Sequence, residues 1–490
     1  MIEIILSDKS YENDVYPLIK AFYPEDIVKV VNQEQSIHPY NNLDPIIISV
    51  DVNQDGIHFL LKDRDLSHKK SRSIEVGLAK SRYKNAIKRF LYDVLSSYTG
   101  RELPWGILTG IRPTKLVYEL LEMGCSDEEI SCRMKEEYYC TDPKIEMSLL
   151  IAKRELSLLK ALDYKKGYSL YIGIPFCPST CLYCSFTSYS IEKYSNMVEE
   201  YLLALEKEIE YASTCFPQKQ LTTVYFGGGT PTTLSAKQLD RLLALIRTKF
   251  DFTYVKEFCV EAGRPDSITK EKLQVLKKWG VNRISINPQS MQQKTLDLIG
   301  RHHTIEQVKE AFALARETGH DNINMDIILG LTGETPEDVA DTLEQIKQLD
   351  PESLTVHTLA IKRAARLNIE KENYDSMKAQ GVGAMMEEAI NYAYKNRYLP
   401  YYLYRQKNMA DNLENIGYSR LGKEGLYNIL IMEEKQTILA LGAGGMSKFV
   451  FHEENRLERV DNVKSVTDYI NRIDEMIARK RDFIHNHLNI

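Results

Sequence analysis

From about Tyr168 to Leu359 the chain repeats one pattern: a short β-branched or aromatic run, a polar cap, then an apolar stripe at helical spacing. No other feature limits the fold as much, because strands that alternate with helices must pair in parallel through crossover connections. The pattern predicts strands over 169–174, 222–226, 257–261, 283–287, 323–328 and 353–359. Helix starts are legible between them. Ser235 to Gln238 and Thr304 to Gln307 have capping-box spacing, and Thr335-Pro336 offers an N-cap with proline at the first helical position. Six such units predict an α/β fold, a partial (β/α)6 barrel open on one side.

The flanks read differently. Residues 1–160 form a mixed α+β segment, with a strand over 1–6, a hairpin over Pro45–Leu61 around Asp55-Gly56, and a helix from Tyr83 to Tyr98. A Gly- and Pro-punctuated loop, Leu103–Lys115, follows; its Arg112 and Lys115 suit either an anionic ligand or plain solvent. From Gly381 onward the alternation is lost, and a third, mostly helical domain is expected with a short β element near Gln436–Val450. The expected divisions are therefore 1–160, 161–380 and 381–490, reasonable for 490 residues of which 43% are hydrophobic.

Charge and hydropathy narrow the partners. A formal charge of −6 leaves no basic footprint for nucleic acid, and no apolar run reaches the length of a membrane span. Glu3 stands where a signal peptide carries Lys or Arg, so a cytoplasmic protein is expected, with its thiols reduced.

Eight cysteines are present, and three of them, Cys177, Cys181 and Cys184, fall in eight residues directly after a predicted strand. A C-x3-C-x2-C loop can bring three thiolates to one four-iron, four-sulfur cube and leave the fourth iron without a protein ligand. A zinc site would need a fourth ligand, for which His302, His303 and His357 are candidates. Cys259, in the strand-like run Phe258-Cys259-Val260, reads as a small buried hydrophobe.

The run Tyr171-Ile172-Gly173-Ile174-Pro175-Phe176-Cys177, continued by Cys181-Leu182-Tyr183-Cys184, resembles the radical S-adenosylmethionine superfamily. Within it the wording is similar to the oxygen-independent coproporphyrinogen III dehydrogenase group. The likeness covers about 168–365 and extends to Leu441-Gly442-Ala443-Gly444-Gly445; Pro104-Trp105-Gly106-Ile107-Leu108 looks like the long Z-type branch. The resemblance implies a 4Fe-4S cluster on Cys177, Cys181 and Cys184, with S-adenosyl-L-methionine on the open iron.

The same resemblance implies that Gly228, Gly229 and Thr230 take the methionine end of that cofactor, and that Glu261, Gln289, Arg301 and Asp326 hold it. Tyr171 is implied beside the cluster and the sulfonium as the candidate catalytic side chain; Tyr183 and Ile328 are implied against adenine. These polar residues recur at predicted strand ends, where (β/α) barrels build their sites. A basic cluster, His357 with Lys362-Arg363-Ala364-Ala365-Arg366, and the run Tyr401–Asn408 suit a carboxylate-bearing flat macrocycle, or a solvated helix and a strand edge.

The implied activity is oxidative decarboxylation of coproporphyrinogen III to protoporphyrinogen IX in haem biosynthesis, fed by an external electron donor of flavodoxin or ferredoxin type. The alternatives are a haem chaperone, or a methyltransferase or haem-degrading enzyme acting on a porphyrin. Gly173 replaces a histidine of the best-known dehydrogenases, Asn287-Pro288 replaces Gly-Val, and Ser185-Phe186 is wording shared with haem chaperones and haem-degrading relatives.

Overall fold

The computed structural model describes residues 1–24, 26–31, 45–53, 55–64, 66–75, 78–186, 188–360, 379, 381–406 and 413–487. They form two compact units, Met1–Ala152 with Arg405–Asn412, and Lys153–Tyr404 with Leu413–Ile490.

In the first unit, β1 (Ile2–Leu6) pairs in parallel with β2 (Val28–Val31) and with β3 (Ile46–Asn53). The expected hairpin forms between β3 and β4 (Gly56–Asp63), and β5 (Leu66–Arg72) completes the order β2-β1-β3-β4-β5. Gly56 has φ +135, a conformation that favours glycine at this turn. Alternation does the rest: Ile48, Val50, Ile57, Phe59 and Leu61 are buried with Ile87, Phe90, Leu91 and Val94 of the helix Lys80–Thr99. The predicted loop ends earlier than expected, at the helix Thr114–Glu122, one turn of which brings Lys115 Nζ within 3.5 Å of Glu119.

The second unit contains all six expected strands. They are β6 (Gly167–Ile174), β9 (Gln220–Gly228), β10 (Glu257–Glu261), β11 (Arg283–Ser285), β12 (Ile323–Leu329) and β13 (Ser353–Thr358), each parallel to the next. The short strands β7 (Phe176–Cys177) and β8 (Tyr189–Ser190) bracket the cysteine loop. All three expected helix caps are present as capping boxes, Thr335 pairing with Asp338. Strand β11 stops two residues before its expected end at Asn287. Pro288 has no N–H to donate, and Gln289 turns into the left-handed region with φ +68, rejoining β12 through one bridge to Ile327.

Of the residues set apart in the sequence reading, 381–404 and 413–490 belong to this same unit, and Arg405–Asn412 to the first. β14 (Leu399–Tyr404) and β15 (Asn415–Ser419) extend the sheet antiparallel beyond β13, while β16 (Thr437–Leu441) pairs in parallel with β6 and leads to β17 (Met446–Phe451) and β18 (Arg456–Asp461). The result is one eleven-stranded sheet, β14-β15-β13-β12-β11-β10-β9-β6-β16-β17-β18, in which β6 and β13 do not meet. Among the described residues no helix is long and apolar enough to cross a membrane.

Candidate metal and cofactor site

The parallel register sets Ile174 beside Gly228, so the glycine run ends next to the strand that leads to Cys177. Two backbone bonds strap them together, Gly229 N–H to Ile174 O at 2.7 Å and Thr230 N–H to Phe176 O at 2.7 Å. A Cβ built on Gly229 would stand 2.6 Å from Phe176 O and 3.0 Å from Cys177 Sγ, and Gly228 has φ +107. Only glycine leaves open the space beside this cysteine.

Each thiol has a polar neighbour. Thr230 Oγ1 donates to Cys177 Sγ at 3.5 Å, and Cys181 Sγ accepts from Arg264 Nη1 at 3.7 Å and Arg301 Nη1 at 3.9 Å. Cys184 faces the Phe186 N–H and the Ser188 hydroxyl. Burial pushes the Cys177 thiol up to about 11; the Thr230 hydroxyl works against it, and the two other cysteines add to it. Burial also raises Cys184. Crowded, buried thiols resist ionisation until a cationic guest compensates them, which is how a coordinating metal deprotonates its ligands. Among the described residues no three His, Cys, Asp or Glu side chains converge as the ligands of one ion would. A cube instead takes its thiolates at separate corners.

Around the cysteines, the strand ends present the expected polar residues. Tyr225 Oη donates to Glu261 at 2.5 Å. Burial lifts the Glu261 carboxyl to about 7, against the Tyr225 hydroxyl and with help from the charge of Asp326. For Asp326, burial is outweighed by His357, Asn324 and Thr355, and the carboxyl lies below its usual range. Its partners include Asn324 Nδ2 at 2.7 Å and His357 Nε2 at 3.6 Å. Arg301 donates to the carbonyls of Asn287 and Gly263 at 2.6 and 2.9 Å and to Tyr183 Oη at 3.2 Å. Tyr183 packs on the cluster of Leu296, Ile299, Ile328 and Leu331.

Gln289 Oε1, Asn287 Oδ1 and Arg301 Nε are buried without hydrogen-bond partners. Buried polar atoms left unpaired cost free energy, so three of them on neighbouring loops, with the glycine cradle and the three thiols, fit a polar guest bound beside a metal cluster.

Of the sequence-predicted residues, Tyr171, Cys177, Gly228, Gly229 and Thr230 are brought together on one side. Tyr183, Arg301, Gln289, Asp326 and Ile328 gather on the other. Glu261 stands between them, tied to the first group through Tyr225, which stacks with Tyr171, and facing the charge of Asp326. His357 points to Asp326. The run Lys362–Arg366 and the residues Lys407 and Asn408 lie outside the described residues. Tyr401 and Tyr402 are buried in β14, an edge strand of the sheet.

Sequence reasoning missed Tyr225, Tyr427, Asn287 and Arg264. Tyr225, Tyr427 and Tyr171 form a stack, with centroids 4.4 Å apart for Tyr225–Tyr427 and 6.1 Å for Tyr171–Tyr427. Glu257 fixes Tyr427 by accepting from the Leu426 and Tyr427 N–H groups at 2.7 and 3.2 Å. Arg264, three residues beyond the end of β10, was detectable as a cation at a strand end; Tyr427 carried no local signal.

The chain also resembles known proteins. The sequence profile of the Radical SAM superfamily matches residues 171–346. The chain is 43% identical over 405 residues to the oxygen-independent coproporphyrinogen-III oxidase-like protein HemZ of Bacillus subtilis, covering 82% of this chain and 81% of that one. It is 40% identical over 195 residues to the heme chaperone HemW of the same organism, covering 40% of this chain and 51% of the chaperone. Among solved structures, Escherichia coli coproporphyrinogen III oxidase (HemN), described as a radical SAM enzyme, superposes with TM-score 0.52 at 24% identity, over 66% of this chain and 73% of that one.

Proposed function

Because the chain belongs to the radical S-adenosylmethionine superfamily, in its family of oxygen-independent coproporphyrinogen III oxidase-like proteins, we propose that it decarboxylates the propionates of coproporphyrinogen III oxidatively to give protoporphyrinogen IX. The observation that carries this reading is the span of the likeness. It runs through 82% of the chain at 43% identity for the oxidase-like relative, against 66% at 29% identity and 40% at 40% identity for two heme chaperones.

The family uses a 4Fe-4S cluster with S-adenosylmethionine, which supply when bound an electron and a 5′-deoxyadenosyl radical able to take hydrogen from an unactivated carbon. In this reading Cys177, Cys181 and Cys184 hold three irons, and the backbone of Gly228 to Thr230 lies open to the methionine end. Glu261 pairs with the cofactor's ammonium, Asp326 accepts from ribose hydroxyls, and His357 keeps Asp326 ionised. Tyr183 and Ile328 form the apolar wall for adenine, and Tyr171 closes the floor beneath Gly228. A propionate that gives up a β-hydrogen then loses carbon dioxide and passes one electron to an external acceptor, leaving a vinyl group. The electron source is an external flavodoxin- or ferredoxin-type protein, and the setting is the reducing cytoplasm, in keeping with eight free cysteines.

The test is anaerobic reconstitution followed by product analysis with coproporphyrinogen III and an electron acceptor. The divinyl product is expected. Cleavage of S-adenosylmethionine with no vinyl product under these conditions overturns the reading. Haem chaperoning is the second reading, favoured by Phe186, 71% exposed directly beyond the cysteine loop. It requires a stable stoichiometric haem complex and transfer of haem to an acceptor.

A further inference from the structure

Arg264 lies in the loop after β10, only 3% exposed, and its guanidinium is fully committed. One edge makes a two-pronged pair with Asp266, Nε to Oδ1 at 2.9 Å and Nη2 to Oδ2 at 2.7 Å. Nη1 reaches the middle of the cysteine loop, 3.1 Å from Ser179 Oγ, 3.4 Å from Ser179 O and 3.7 Å from Cys181 Sγ. Ser179 Oγ in turn donates to Gly300 O at 3.3 Å, beside Arg301, whose own Nη1 approaches the same sulfur. The other ionisable neighbour is His303, fully buried with both ring nitrogens unpartnered. Cys181 therefore faces two guanidinium groups, whereas Cys177 and Cys184 face hydroxyl and backbone donors.

We propose that Arg264 is a positioning residue for the iron–sulfur cluster, strapping the Cys177–Cys181 loop at Ser179 and holding a cation against the Cys181 thiolate. The inference rests on the three cysteines as cluster ligands and is independent of the substrate. Asp266 satisfies one edge of the fork, so the other cannot rotate away from the sulfur. One-electron reduction adds negative charge to a cluster; a fixed cation and an N–H donor at one sulfur stabilise that charge and raise the potential. A lysine carries the charge but cannot span Asp266, Ser179 and Cys181 together.

The experiment compares the full-length chain with R264M and R264K after anaerobic reconstitution, without tetrapyrrole. It measures iron and sulfide per chain, thermal melting, and the midpoint potential by titration followed by electron paramagnetic resonance. R264M is expected to shift the midpoint to lower potential, and R264K to shift it less in the same direction. An R264M chain that melts like wild type yet loads little iron supports the strap. Wild-type iron content together with a wild-type potential in both variants overturns the proposal. If R264M does not fold, R264K decides alone, and an unchanged potential there overturns it. Full iron loading in C181A would sink the ligand assignment instead, and a missing vinyl product with these shifts intact counts only against the proposed function.

Discussion

Two carboxyl groups show how much the surroundings of a single residue decide. Glu334, 3% exposed, accepts from Ser290 Oγ at 2.5 Å next to Gln289, and burial lifts it to about 7 despite that hydroxyl. Its folded value lies above the unfolded one, so the native state binds the extra proton, and stability falls as pH rises from about 4.5 to about 7. Glu334→Gln keeps an acceptor for Ser290 without the charge. Its unfolding free energy is expected to exceed wild type above pH 7, by on the order of 3 kcal/mol at most, and to converge with it near pH 5, as read by denaturant unfolding. Glu261 is likewise lifted by burial to about 7 while a hydroxyl, that of Tyr225, holds it down. Tyr225→Phe removes that donor, so the carboxyl should ionise at higher pH. Binding of S-adenosylmethionine by equilibrium dialysis should then weaken severalfold at pH 7 and recover as pH rises; an unshifted pH profile would count against a carboxylate–ammonium pairing. Neither protonation was legible in the sequence. A Glu at a strand end was, but its hydroxyl partner comes from the neighbouring strand.

At the scale of elements, the glycine loop after β9 and the segment from the end of β6 into β7 act as one piece, since two backbone bonds join them. Gly229→Ala places a methyl 2.6 Å from a backbone oxygen that cannot swing aside. Reconstituted iron per chain should fall severalfold while circular dichroism stays close to wild type; full iron loading would show that the cradle has slack. The six parallel strands and their capped helices were readable because each is a local matter of side-chain period and cap chemistry. The shortening of β11 was half-readable, from Pro288. The left-handed turn at Gln289 was not, because it is held by Asp326 O and Ile328 N–H across a strand boundary.

For the second unit as a whole, the C-terminal strands matter as much as the cysteines. Lys480 and Glu208 form a fully buried ion pair at 2.7 Å, and Glu208 also accepts from Asn462, Tyr469 and Gly442 N–H. Ala443 N–H and Gly173 O meet at Tyr201 Oη, so this network reaches the end of β6. Lys480→Met strands a buried carboxylate and should cost about 3–5 kcal/mol in denaturant unfolding. Truncation after residue 380 removes β16 from β6 and β15 from β13, exposing two strand edges at once. That fragment should be recovered as aggregate, and a monodisperse monomer would contradict the account of the sheet. By itself the sequence determined the α/β class, the six strands, the cysteine loop and the polar residues at the strand ends, because period, caps and ligand spacing are written within a few residues. Only the tertiary structure decided that residues 381–490 widen the central sheet, that Tyr427 stacks over Tyr171, and that Arg264 faces Cys181. Those pairings join segments tens to hundreds of residues apart, and side-chain period carries no information about which strand a distant strand will meet.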